Sequence, residues 1–150
     1  MVSEDGEKAI YGLTVNYTGR TRSEIAKYIP YKNRLFHDSE TAGDAEVWID
    51  RDIKNGFYIS LSNSVGGAVL VDNNIYTGNS LKGGEIGHMI AVPKGGKRCY
   101  CGKCGCFNTV VSANNLDEYT DGDLAEFFRL LREEDGTAMD MWDHYLDELA

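Results

Sequence analysis

Four cysteines fall within eight residues, at Cys99, Cys101, Cys104 and Cys106, and none occurs elsewhere in the chain. His88 lies upstream, and Gly95, Gly96, Gly102 and Gly105 flank or interrupt the run. Thiolate and imidazole are ligands that zinc favours, four of them in a tetrahedron at about 2.0–2.3 Å. Cysteines two apart beside glycine fold back around one ion, because glycine enters turns that need a positive φ. Five donors are therefore on offer, one more than the shell requires. Three Cys and one His fill the shell with no position left for water, which marks a structural rather than a hydrolytic site. The alternatives are a reduced, metal-free thiol loop and a disulfide. The first exposes reactive thiols to oxidation, and the second belongs to frameworks that staple distant segments. Zinc is the expectation.

Composition narrows what else the chain does. A formal net charge of −9 argues against a nucleic-acid grip, since phosphate backbones are held by clustered Lys and Arg. No apolar run approaches the ~20 residues that span a bilayer. The first residues, Met1 to Lys8, are acidic and lack the basic-then-apolar order of a secretory signal, so the default setting is cytoplasmic. With 42% apolar and 26% charged residues, 150 residues suffice for one domain with a real core.

The elements that must carry the cysteine loop follow from periodicity. A short strand is expected at residues 9–15, and a short helix at 23–29 that Pro30 stops. Ser39 is expected to cap a helix over about 39–53, with Ala42, Ala45, Trp48, Ile49 and Ile53 near helical spacing. Gly56–Leu61 and Gly67–Val71 read as strands, and Asp72-Asn73-Asn74 as turn chemistry before a returning strand at 75–77. Ser62–Gly66 is a polar connection between the first two. Residues 78–108 are loop-rich. Beyond Ser112 the pattern turns helical, with Leu124, Phe127, Phe128 and Leu131 on one face of 123–132, capped by Asp121 or Asp123. Met141, Trp142, Tyr145, Leu146 and Leu149 form the face of a second helix over about 137–149. From the residues alone the class is mixed α/β in a single domain.

Gly84-Glu85-Ile86-Gly87-His88, followed by Cys99-Tyr100-Cys101-Gly102-Lys103-Cys104-Gly105-Cys106, resembles the signature of the ROK family of repressors and sugar kinases. That signature is Glu-x-Gly-His and then Cys-x-Cys-Gly-x-x-Gly-Cys. The hairpin Val69–Gly78 is similar to the one leading into it, and His37-Asp38-Ser39-Glu40 stands where the family has Asn-Asp-Ala-Asn ahead of a helix. The resemblance covers about residues 35–149. It implies a ribonuclease H-like fold of the actin and hexokinase type, with this chain as the central part of the second lobe (strands and hairpin about 56–77, zinc loop 84–108, helices 112–149). It also implies zinc on His88, Cys99, Cys101 and Cys106, with Cys104 at a variable position. Sugar hydroxyls would meet Glu85 and His88, with His37, Asp38 and Asn108 also at the sugar. Asp38 would occupy the place of the general base that takes the proton from the attacking hydroxyl. Without the resemblance, an acid at that helix start is equally well explained by the macrodipole.

Departures from the family pattern set the functional expectation. The Asn before the catalytic Asp is His37, and the Glu two residues after the last cysteine is Asn108. The phosphate turn, Gly-Thr-Gly-x-Gly-Gly-Gly in the family, is Ser62-Asn63-Ser64-Val65-Gly66-Gly67-Ala68, and backbone N–H groups cradle phosphate only where side chains stay clear. No Asp-x-Gly-x-Thr hairpin and no closing adenosine-binding glycines are found. The expectation is an internal fragment of a sugar-sensing ROK regulator with a vestigial Asp38, structural zinc and no bound ATP. It would be a homo-oligomer by family likeness, and would touch neither nucleic acid nor membrane through this segment. The alternatives are a fragment of an ATP-dependent, glucokinase-like sugar kinase and a free-standing zinc-stabilised interaction domain.

Overall fold

The computed structural model describes residues 1–12 and 16–150. The chain divides into two compact units, Met1–Tyr58 with Gly67–Glu85, and Ile59–Gly66 with Ile86–Ala150. A three-stranded sheet in the order β1-β2-β3 contributes to both, from β1 (Gly56–Leu61), β2 (Val65–Val71) and β3 (Asn74–Ile75).

In the first unit, α1 (Arg22–Ile25) opens with a capping box. The Thr21 N–H donates to Glu24 Oε2 at 2.7 Å, and the Glu24 N–H to Thr21 Oγ1 at 3.4 Å. The helix expected at 23–29 is thus one turn long and ends well before Pro30. Ile29, barred from helical geometry by the proline after it, closes a turn to the Ala26 carbonyl instead. The strand expected at 9–15 is reduced to bridges at Lys8 and Ala9 among the described residues, and its positions 13–15 lie outside them.

The helix expected at 39–53 runs from Asp38 to Ile49 (α2), with His37 rather than Ser39 as its N-cap. Its inner face also differs. The buried residues are Ser39, Gly43 and Val47, spaced four apart, whereas Trp48 and Ile49 are 70% and 80% exposed. The small face is what close packing on the sheet demands. A Cβ on Gly43 would stand 2.9 Å from the Ala68 Cβ and 3.3 Å from that of Tyr58. Large apolar residues at helical spacing misled the reading because this helix seats its small ones.

β2 and β3 pair antiparallel, Leu70 opposite Ile75 and Val71 opposite Asn74. The two-residue turn between them has φ of 49° at Asp72 and 61° at Asn73, the left-handed pair that a tight hairpin requires and that Asp and Asn tolerate. Asn73 is held by its own N–H to the Lys54 carbonyl and its amide to the Ile53 carbonyl, both near 2.8–2.9 Å.

The second unit holds a helical core. α3 (Asn108–Val111) and α4 (Asn114–Asp117) lead to α5 (Leu124–Arg132) and α6 (Gly136–Leu149). Asp123 caps α5 through the Glu126 N–H, and Asp135 caps α6 through the Ala138 N–H, each at 3.0 Å. Val65, Val111, Leu116, Phe127, Ala138 and Tyr145 form the buried cluster. Phe127 is fully buried, and the aromatic series continues edge-on to Phe128, then Trp142, which stacks on Tyr145 at 5.5 Å. Leu124, Phe128, Leu131, Met141, Trp142 and Leu149 pack half-buried around it, as the two amphipathic patterns anticipate, while Leu146 is 42% exposed. Burial of one such aromatic stabilises by about 1.5–3 kcal/mol.

Candidate metal centre

His88 ends a 3-10 turn over Ile86–His88. Gly87 before it is buried, and any side chain there would strike the Val65 carbonyl oxygen, so the close approach of backbones fixes where the imidazole begins. The chain then doubles back on itself. Ile90 bridges Cys106, and the Phe107 N–H donates to the Met89 carbonyl at 2.8 Å, setting His88 near the end of the loop as well as its start. An inner hairpin pairs Arg98 with Cys104, and the Cys99 N–H bonds the Lys103 carbonyl at 2.8 Å. Gly102 (φ 92°) turns its tip and Gly105 (φ 74°) turns its exit. A side chain at Gly105 would meet the Val92 carbonyl, so both its φ and its surroundings require glycine.

This double hairpin gathers four donors. One ligand atom each from His88, Cys99, Cys101 and Cys106 lies within 4.8 Å of the others. Cys99 Sγ is 3.6 Å from His88 Nδ1, and Cys101 Sγ is 3.6 Å from Cys106 Sγ. Tetrahedral zinc with sulfur at about 2.3 Å places neighbouring ligand atoms about 3.7 Å apart. The donor set fits that ion in number, softness and spacing, and it excludes Cys104, which is exposed. Cys99 and Cys106 are buried, Cys101 and His88 half-buried, and the Tyr100 ring meets the His88 ring edge-on at 5.1 Å.

The Cys101 and Cys106 thiols titrate against one another. Burial first, and then the bonds and charges of Cys101 and Cys99, push the Cys106 thiol up to about 12. Burial also works to raise Cys101, but the Lys103 backbone N–H, the Cys99 and Cys106 thiols and the Lys103 ammonium outweigh it and bring Cys101 down. Without a cation, thiolates on Cys101 and Cys106 at 3.6 Å would repel, so a proton is held between them. A divalent ion would take the protons' place.

The remaining residues singled out from the sequence are distributed between the units. His37, Asp38 and Glu85 belong to the first, and His88 and Asn108 to the second. The Asp38 side chain is 95% exposed, with Oδ1 3.8 Å from His37 Nε2 and accepting the Ser39 N–H at 2.8 Å. His37 also lines a cavity of about 180 Å³ with Val2, Arg34, Phe36, Glu40 and Thr77. Glu85 is half-buried.

Asn108 has an occupation that its position in the motif did not reveal. It is buried, and its Oδ1 accepts the Val65 N–H at 2.7 Å. The Ala113 N–H donates to the Ser62 carbonyl at 2.8 Å, and the Ser62 hydroxyl to the Ser64 carbonyl at 3.0 Å. Four polar groups of the Ser62–Val65 turn are thereby bonded within the protein. The only hint in the sequence was a short polar residue, Asn108, two positions after the last cysteine.

The ROK family profile matches residues 22–150. The chain belongs to the ROK family. It is 39% identical over 82 residues to a glucokinase of Halalkalibacterium halodurans, covering 53% of this chain and 25% of that enzyme. Among solved structures, a ROK family glucokinase from Streptomyces griseus in complex with glucose and AMPPNP superposes with a TM-score of 0.82 at 18% identity, covering 96% of this chain and 54% of that one. A ROK family transcriptional regulator, a homologue of the E. coli MLC protein, superposes with a TM-score of 0.64 at 24% identity, covering 84% and 36%. These likenesses establish a ROK fold, of the actin and hexokinase type, in a chain that spans about a quarter of the curated glucokinase and about half of the solved one. No helix among the described residues is long and apolar enough to cross a membrane.

Proposed function

We propose that the chain is the zinc-stabilised, sugar-recognising central part of the second lobe of a ROK protein that senses its sugar rather than phosphorylating it. His88, Cys99, Cys101 and Cys106 hold the zinc, which ties a loop with few apolar contacts of its own into a rigid platform. The spacing of those four donor atoms supports the metal. In the first unit, Glu85 accepts hydrogen bonds from sugar hydroxyls, with His37 and Asp38 as further sugar-binding residues; in the second, His88 and Asn108 take that role.

The observation that favours sensing is the state of the turn at Ser62, Asn63, Ser64, Gly66 and Gly67. Side chains stand where a phosphate cradle needs bare backbone, and the Val65 N–H is committed to Asn108. Such a turn offers a nucleotide phosphate fewer donors. Asp38 then remains as a carboxylate without a phosphoryl group to receive the nucleophile it would activate. The kinase reading draws on the 39% identity to a glucokinase and on Asp38 being retained.

Calorimetric titration of the chain with glucose, with N-acetylmannosamine and with ATP separates the two. Sensing predicts heat from a sugar, none from ATP, and no sugar phosphate formed when both are present with magnesium. ATP binding with sugar phosphate formed would establish the kinase and overturn the sensor. No heat from either sugar or ATP would count against both.

A further inference from the structure

Within the cluster, whose four ligand atoms all lie within 4.8 Å of one another, two sulfurs stand in direct contact. Cys101 and Cys106 Sγ are 3.6 Å from each other, while Cys99 is the sulfur beside His88. Cys106 is buried, whereas Cys101 is half-exposed, so a small polar oxidant reaches the pair from one side only. The four residues between them include Gly102 and Gly105, both already at positive φ, which lets this short segment adjust when the sulfurs close to bonding distance.

We propose that Cys101 and Cys106 form an oxidisable dithiol, a modification site for hydroperoxides whose closure ejects the metal. The sulfur of Cys101 attacks one oxygen of hydrogen peroxide; the S–O bond forms, the O–O bond breaks, and the departing hydroxide takes a proton and leaves as water. Cys106 sulfur then attacks Cys101 sulfur. The S–S bond forms, the S–O bond breaks, and hydroxide leaves with the proton of Cys106 as a second water. Two thiols are oxidised and one peroxide is reduced to two waters. The disulfide removes two of four ligands, and His88 with Cys99 alone does not complete a tetrahedral shell. Cys104 is exposed and outside the ligand set, so it takes no part in closure.

The inference rests on the cluster holding a metal, and the test separates the two claims. Metal content of the reduced chain is measured first. Hydrogen peroxide is then added while metal release is followed with a colorimetric chelator and the protein mass by intact mass spectrometry. The expectation is release of about one metal per chain together with a loss of about 2 Da, reversed by dithiothreitol and re-addition of zinc. Trypsin cuts after Lys103, so the expected bond joins peptide 99–103 to peptide 104–129 under non-reducing conditions. Cys104→Ser must keep both the bond and the release. Loss of the bond in Cys104→Ser, a bond confined to peptide 99–103, or release without any disulfide would overturn the assignment. Metal-free protein that still closes the bond would sustain the dithiol and remove the zinc reading. Metal-loaded protein that neither closes the bond nor releases its ion under peroxide would do the reverse.

Discussion

Replacing Asn108 by alanine isolates the contact that the sequence did not announce. Asn108 is 8% exposed and Val65, whose N–H it receives, 5%. Alanine leaves that N–H buried without its acceptor, which costs about 1–3 kcal/mol, against a net stability of about 5–15 kcal/mol for a domain. With a urea slope of about 1–3 kcal/mol/M, the midpoint falls by about 1 M at an unchanged slope. The chain has two tryptophans, Trp48 in the first unit and Trp142 in the second. Trp48 is 70% exposed, so Trp48→Phe is a mild background in which fluorescence reports on the second unit alone. Unfolding of Asn108→Ala in that background, followed through Trp142, gives the shift directly. Asn108→Asp keeps an acceptor for the Val65 N–H but buries a charge, and its loss is restored on acidification as the carboxyl is neutralised. A midpoint for Asn108→Ala equal to that of its parent would refute the account of Asn108 as a strut of the turn.

Three further outcomes follow from the same structure. Phe127→Ala empties the centre of the second unit and should cost about 3–5 kcal/mol, read as a lowered denaturation midpoint. Gly105→Ala forces a side chain against the Val92 carbonyl at a φ of 74°, so the protein should purify with little or no metal while α5 and α6 keep their circular dichroism. Burial holds the Tyr145 hydroxyl above its ordinary 10.0. The unfolded chain therefore gives up that proton first, and stability declines as pH rises above about 10. Tyr145→Phe should flatten that alkaline decline relative to the parent in paired denaturation curves.

The sequence announced most plainly what depends on local pattern. Leu124, Phe127, Phe128 and Leu131 recur at helical spacing and face the core, and Asp123 caps their helix as a short acceptor should. Asp72 and Asn73 marked the hairpin because few other residues tolerate its dihedrals. Cysteine spacing, with glycine between, singled out a loop in which four possible ligands converge. What stayed hidden depends on contacts made far along the chain. α2 buries Ser39, Gly43 and Val47, and at Gly43 the sheet comes so close that a Cβ would stand 2.9 Å from that of Ala68; no property of Trp48 or Ile49 shows that they face outward. Asn108 bonds a residue 43 positions away, which no local pattern encodes. The family motif directed attention to that asparagine as a sugar contact and hid its structural work.

The most direct test of the central claim is the metal content of the chain. The protein is purified under reducing conditions without added metal and assayed by elemental mass spectrometry, then titrated with chelator. The account predicts about one zinc per chain, carried by His88, Cys99, Cys101 and Cys106, with loss of ordered structure as the ion is withdrawn. It also predicts that Cys104→Ser retains the ion and Cys99→Ser does not. Protein that is folded, reduced and free of zinc would contradict it.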